Sequence, residues 1–194
     1  MSSRLPNEKE CVDLLRTEGC SESVVRHCCT VNLVAVTIAR ACEADLDLVN
    51  AGSWLHDIGR SVTHGARHVS EGVTIARGRG LPESIVRIIS RHIAAGLTND
   101  EAAELGLPPG DYMPVTLEER IVCHADNLVG DADILRLEEA VEDTEVRGYL
   151  VTAQRMREMH RELSEACGED LDLLLEDMDV RKMATRKCAF YASH

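Results

Sequence analysis

The sequence predicts an all-α fold, and three observations carry that reading. Apolar residues recur at spacings of three, four and seven along most of the chain. No stretch alternates long enough to form a convincing strand, and Ser, Thr, Pro and Gly stand where helices begin and end. With 194 residues, 44% of them apolar, the chain is sized for one domain with a proper core.

A first helix is expected over 8–17, ending at Gly19. A long one over 22–43 opens behind Ser21 or Ser23 as N-cap. Its second half, VNLVAVTIARAC, is apolar on most sides and belongs at the centre. A third, 46–58, stops at Gly59, a usual C-terminal breaker. The loop SVTHGAR leads to a short helix over 68–78, and Pro82, tolerated in a first turn, opens PESIVRIISRHI. Residues 94–115, rich in Gly and Pro, form the longest irregular stretch, with one helical turn at NDEAAELG. Thr116 and Glu119 make a capping box for a helix reaching about residue 129. Two further helices, 138–166 and 170–190, complete the chain. The expected division is a domain over 1–137 that carries the functional residues, with C-terminal helices over 138–194 packing on it or extending it.

No run of 18 uncharged apolar residues occurs, and the N-terminus MSSRLPNEKE has no apolar core of a signal peptide. A soluble cytoplasmic protein with no membrane partner is expected. The eight cysteines form no C-x-x-C pair and mostly sit among apolar neighbours, so reduced structural thiols are expected. The net charge is −13, and residues 138–179 hold 14 acidic side chains against four arginines, a local balance of −10. Such a chain, with 3% aromatics, lacks the basic face and stacking platforms of a polymeric nucleic-acid binder. A small ligand is the better expectation, and homo-oligomerisation stays open.

The informative residues are polar ones on apolar stripes. His27 lies in line with Val24, Val31, Val34 and Ile38, His92 extends Ile85, Ile88 and Ile89, and Asp126 continues Val122 toward Val129. His56-Asp57, in SWLHDIGR, is a fourth inward source. A lone histidine on an apolar face is ordinarily a hydrogen-bonded core residue. The combination is different, because burying two carboxylates without compensation costs several kcal/mol each. A divalent cation supplies that compensation.

His27, then His56-Asp57, then Asp126 resembles the H…HD…D order of the HD superfamily of metal-dependent phosphohydrolases, and HDIG at 56–59 is the form that names one branch. RHIAAGLTNDEAAELGLP and PVTLEERIVCHADNL also look like a branch of small HDIG proteins found mainly in archaea. The resemblance covers about residues 21–135 and implies an HD-domain helical bundle with a C-terminal helical extension. It further implies that His27, His56, Asp57 and Asp126 hold a first metal ion. Two-metal relatives add a histidine followed by glycine four residues on, and another at the end of the next helix. Here these are His68, in HVSEG, and His92, in RHIAAG, with Asp57 then bridging the two ions. The full pattern is similar to that of HD-GYP phosphodiesterases and HD-type diadenosine tetraphosphatases, although the gap from Asp57 to His68 is shorter than in either. His64, four residues before His68, is the alternative ligand; His68 is favoured.

Mixed imidazole and carboxylate donors suit Fe, Mn, Ni, Co or Zn, with Fe or Mn favoured by the resemblance. Arg60 stands where many relatives carry lysine; it either grips phosphate oxygens or complements a helix C-terminus. His64 either donates a proton to a leaving oxygen or is a solvated loop residue. The expected function is a metal-dependent phosphohydrolase acting on a small phosphoester: a nucleotide, a cyclic phosphodiester or a dinucleoside polyphosphate. Asp57, His64 and Arg60 are its candidate catalytic residues, and the loop 94–115 is expected to select the substrate. An HD-type diiron oxygenase and a non-catalytic ligand sensor are the alternatives. Trp54 reads as a core aromatic, Arg91 as a phosphate contact or a solvated residue, and His124 as pointing away from Asp126. His160 and His194 have no partner in sequence.

Overall fold

The computed structural model describes residues 4–130, 133–177 and 180–191; His194 and part of the acidic stretch lie outside them. Among the described residues the elements are helical, and the only β-pairings are isolated bridges. Helix α1, Glu8–Thr17, starts at a capping box between Asn7 and Glu10. Ser21, not Ser23, caps α2, Glu22–Ala41. α3, Leu46–Leu55, ends sooner than its apolar pattern suggests, and the chain tightens into a 3-10 turn over Ile58–Ser61. His56 and Asp57 occupy the joint between them. Then follow α4, His68–Gly78, α5, Glu83–Arg91, α6, Asn99–Glu104, and α7, Leu117–Asn127, the last behind the expected Thr116–Glu119 box.

Two expected C-terminal helices resolve into more. The segment 138–166 divides into α8, Leu137–Val146, and α9, Leu150–Cys167, because Gly148 adopts φ 90° and its N–H closes on the Glu145 carbonyl. The segment 170–190 divides into α10, Leu171–Asp177, and α11, Val180–Tyr191.

α2 is the axis of the molecule, packed against α3, α7 and α11. It is long and apolar enough to cross a membrane, but 67% of its most apolar window is buried inside the bundle. α5 turns Ile85, Val86, Ile88 and Ile89 inward, each worth about 1.5–3 kcal/mol when fully buried. Ile88 fills the space that Gly52 leaves on α3. Trp54 is a core residue, fully buried with the Tyr191 ring edge-on at 5.3 Å.

The cysteine expectation needs correction. Cys29–Cys188 and Cys42–Cys167 are disulfides, tying α11 and the end of α9 to α2 and its C-cap. The partners are 159 and 125 residues apart, so only the packing of C-terminal helices on α2 brings them together. Cys11, Cys20, Cys28 and Cys123 are free and buried, as expected.

The loop 94–115 has a small core of its own. Leu97, Ala102, Leu107 and Tyr112 pack with Val69 of α4 into a small satellite core. Asn127 donates to the Ala94 carbonyl at 2.6 Å and Arg155 to that of Gly96 at 2.9 Å, holding the loop to α7 and α9.

Candidate metal centre

The centre is assembled around the α3 joint. His27 comes from the second turn of α2, His56 and Asp57 from the joint, His68 from the start of α4, His92 from the end of α5 and Asp126 from the end of α7. His68 reaches the centre because Gly59 allows α4 to lie against the 3-10 turn. A Cβ on Gly59 would collide with the His68 carbonyl and approach the Gly72 nitrogen to 2.5 Å. Glycine at both positions permits this contact.

Three rings are oriented in the same way. Nδ1 of His56 donates to the Ser53 carbonyl at 2.7 Å, that of His68 to Gly65 at 2.9 Å, and that of His92 to Ile89 at 2.8 Å. A carbonyl only accepts, so each Nδ1 carries the hydrogen and the neutral ring presents an Nε2 lone pair. Those lone pairs converge with two carboxylates. Asp57 Oδ1 lies 3.2 Å from His68 Nε2 and 3.5 Å from His92 Nε2. Its Oδ2 lies 3.7 Å from His27 Nε2 and 3.6 Å from His56 Nε2. Asp126 Oδ1 is 2.9 Å from His27 and 3.3 Å from His56. The Nε2 atoms of His68 and His92 face each other at 3.0 Å.

Acceptor thus faces acceptor. His56 Nε2 and Asp57 Oδ1 are buried without a hydrogen bond, which is costly unless a cation or protons intervene. Donor atoms of His27, His56 and Asp57 all lie within 4.8 Å of one another, as do those of Asp57, His68 and His92 and those of His56, His92 and Asp126. The carbonyl behind each ring is the usual orienting partner of a metal-binding histidine. This donor set fits a divalent metal.

Charge is coupled tightly here. Burial alone would lower the His56 pKa, but Asp57 and Asp126 override it and raise it to about 9. Burial would raise the Asp57 pKa, yet the charge of His56 and contacts from His68 and His92 hold it well below the usual range. Asp126 is likewise lowered against burial, by His56 and His27. His92 is lowered, by burial and by the charges of His56 and His68.

The centre opens into a cleft of about 760 Å³. Arg60 lines it, with Nε donating to Asp57 Oδ2 and Nη1 reaching the His64 carbonyl at 3.5 Å. His64 is exposed on the same wall and stands outside the cluster that His68 joins. Two expectations fail on geometry. The loop 94–115 does not line the cleft; α8 does, through Ala140, Asp143, Thr144 and Arg147. Arg91 is not solvated and does not line the cleft; Asp111 and the buried Glu119 hold it. Arg26 of α2 also lines the cleft, and its adjacency to His27 was the one signal that could have found it.

His124 does point away from Asp126. It is fully buried, with Nε2 3.0 Å from His160 Nδ1, a partner that sequence spacing did not reveal. Asp170 and Asp172 lie near His160, but they accept the backbone N–H groups of Leu173 and Leu137.

Known proteins resemble this chain. The chain is 41% identical over 168 residues to a Thermoplasma volcanium protein named tRNA (cytidine(56)-2'-O)-methyltransferase, covering 87% of this chain and 50% of that one. It is 47% identical over 133 residues to an uncharacterised Methanocaldococcus jannaschii protein, covering 66% of this chain and 79% of that one. The chain spans about half the length of the methyltransferase-named relatives it matches. Among solved structures, the HD domain of Listeria monocytogenes phosphodiesterase PgpH, crystallised with cyclic-di-AMP, superposes with a TM-score of 0.52 at 16% identity. That likeness covers 77% of this chain and 92% of the other, and it speaks for the fold alone. The HD domain family model matches residues 24–131, which run from the turn before His27 to just past Asp126. This chain belongs to the HD domain family.

Proposed function

We propose that this chain is a metal-dependent phosphohydrolase acting on a small phosphoester, with His27, His56, Asp57, His68, His92 and Asp126 holding two divalent ions. The observation that carries the reading is the position of Asp57, which turns one carboxylate oxygen toward His27 and His56 and the other toward His68 and His92. Ions in such a site supply Lewis acidity, activating water near neutral pH and neutralising a phosphoryl group. The protein's own share is positional. The Ser53, Gly65 and Ile89 carbonyls fix the rings, and Asp57 and Asp126 bring the negative charge that gathers cations. Arg60, anchored on Asp57, has further guanidinium N–H groups to offer phosphate oxygens, and the exposed His64 ring stands on the cleft wall as a proton donor for a leaving group. On this reading α8 belongs to the same functional unit as residues 1–137.

The test is elemental analysis of anaerobically purified protein, followed by a screen of phosphate esters with the metal restored. Phosphate release without O₂, supported by Mn²⁺, is expected. A strict need for iron and O₂ with no anaerobic release would favour the oxygenase alternative. A second reading, RNA as the substrate, draws on the relatives named for tRNA. The chain's net charge of −13 opposes it, and filter binding of tRNA at two salt concentrations decides it.

A further inference from the structure

The cleft carries an unusual allocation of positive charge. Among the arginines whose side chains are described, only Arg26 and Arg40 stand in no ion pair, and of these only Arg26 lines the cleft. In a chain with 34 acidic residues and 21 basic ones most of the described arginines are paired, so an arginine in no ion pair stands out. Arg147, at the end of α8, lines the same cleft. It is held only by Asp143, at 2.7 Å across an exposed pair with side chains 66% and 54% accessible. Such a pair contributes little stability, so Arg147 exchanges Asp143 for another anion at small cost. Arg60, by contrast, is committed to buried Asp57. Among the described residues no Trp, Tyr or Phe lines the cleft, so they offer a nucleobase none of these rings to stack on.

We propose that Arg26 and Arg147 form a second anion subsite, which binds a phosphate group of the substrate other than the one at the metal centre. This rests on the phosphohydrolase reading for the identity of the first subsite. The preferred substrate class is then a compound with two or more phosphates, recognised by charge rather than by its base. Guanidinium groups suit this role because they stay charged and bind phosphate oxygens in pairs.

The test is calorimetric binding to Mn²⁺-loaded protein, using probes that do not turn over. The pair is the α,β-methylene analogue of ADP, with two phosphorus groups, and the 5′-methylenephosphonate analogue of AMP, with one. Parent protein is expected to bind the first at least about tenfold more tightly, in line with one or two added charge-assisted contacts. Arg26→Gln/Arg147→Gln should abolish that advantage and leave the one-phosphorus probe unchanged, while Arg40→Gln, the other unpaired arginine, should alter neither. Equal binding of both probes by the parent would overturn the proposal. So would an advantage that survives the double variant, or one lost equally in Arg40→Gln. Because no step of turnover is measured, failure of the hydrolase reading shows up separately, as absent phosphate release.

Discussion

His56, His68 and His92 are as thoroughly buried as His124 and His160, yet the two groups are chemically opposite. Each ring of the first group has a carbonyl behind it and a carboxylate in front. His124 has only His160 in front of it, and its Nδ1 has no partner. Burial and the neighbouring His160 push the His124 pKa down to about 3, whereas His56, beside two carboxylates, is raised to about 9. Burial of histidine does not by itself make a site. A carboxylate in front makes a cluster able to hold a cation, and the carbonyl behind fixes which nitrogen faces it.

The largest effect expected from breaking this arrangement is at Asp57. Asp57→Asn keeps the shape and removes the charge shared by both halves, so metal should be lost and turnover should fall at least about a thousandfold. Metal content and phosphate-ester kinetics measured side by side check this. Next is His92→Ala, expected to remove one ion and leave the other, with an intact helical spectrum by circular dichroism.

A pH titration sharpens the contrast. The raised His56 pKa stabilises the ion-free fold fully below the free-histidine value of 6.5, and this contribution disappears as pH rises through about 9. Metal loading has the opposite sign, because the ring must release its proton. Ion affinity should therefore climb with pH up to about 9, with proton release measurable by calorimetry in buffers of different ionisation heat. His124, neutral across this range, should contribute nothing.

Much of this was legible in sequence, for reasons that can be named. His27, His92 and Asp126 sit on helices whose apolar spacing fixes their facing, and His56-Asp57 ends a run of apolar residues. That His68 rather than His64 joins the cluster was not, because both precede or open α4, and the close approach of Gly59 to α4 is what brings His68 in. The role of α8 in the cleft, the His124–His160 pair and the two disulfides depend on how distant helices pack. Local periodicity carries no record of that.

The smallest effects are expected outside the cluster. Arg60→Ala should keep the metal and weaken substrate binding by about 1–3 kcal/mol, read as a higher KM. His124→Leu should keep every ion and cost about 1–3 kcal/mol of stability at most, mainly from leaving His160 Nδ1 unpaired, as measured by denaturant unfolding.

The central claim is that Asp57 joins two ion sites, and the direct measurement is metal stoichiometry across four proteins loaded under identical anaerobic conditions. Close to two ions per chain are predicted for the parent, one for His68→Ala and for His92→Ala, and none for Asp57→Asn. A single ion in the parent that persists in both histidine variants, or two ions retained by Asp57→Asn with full activity, would contradict it.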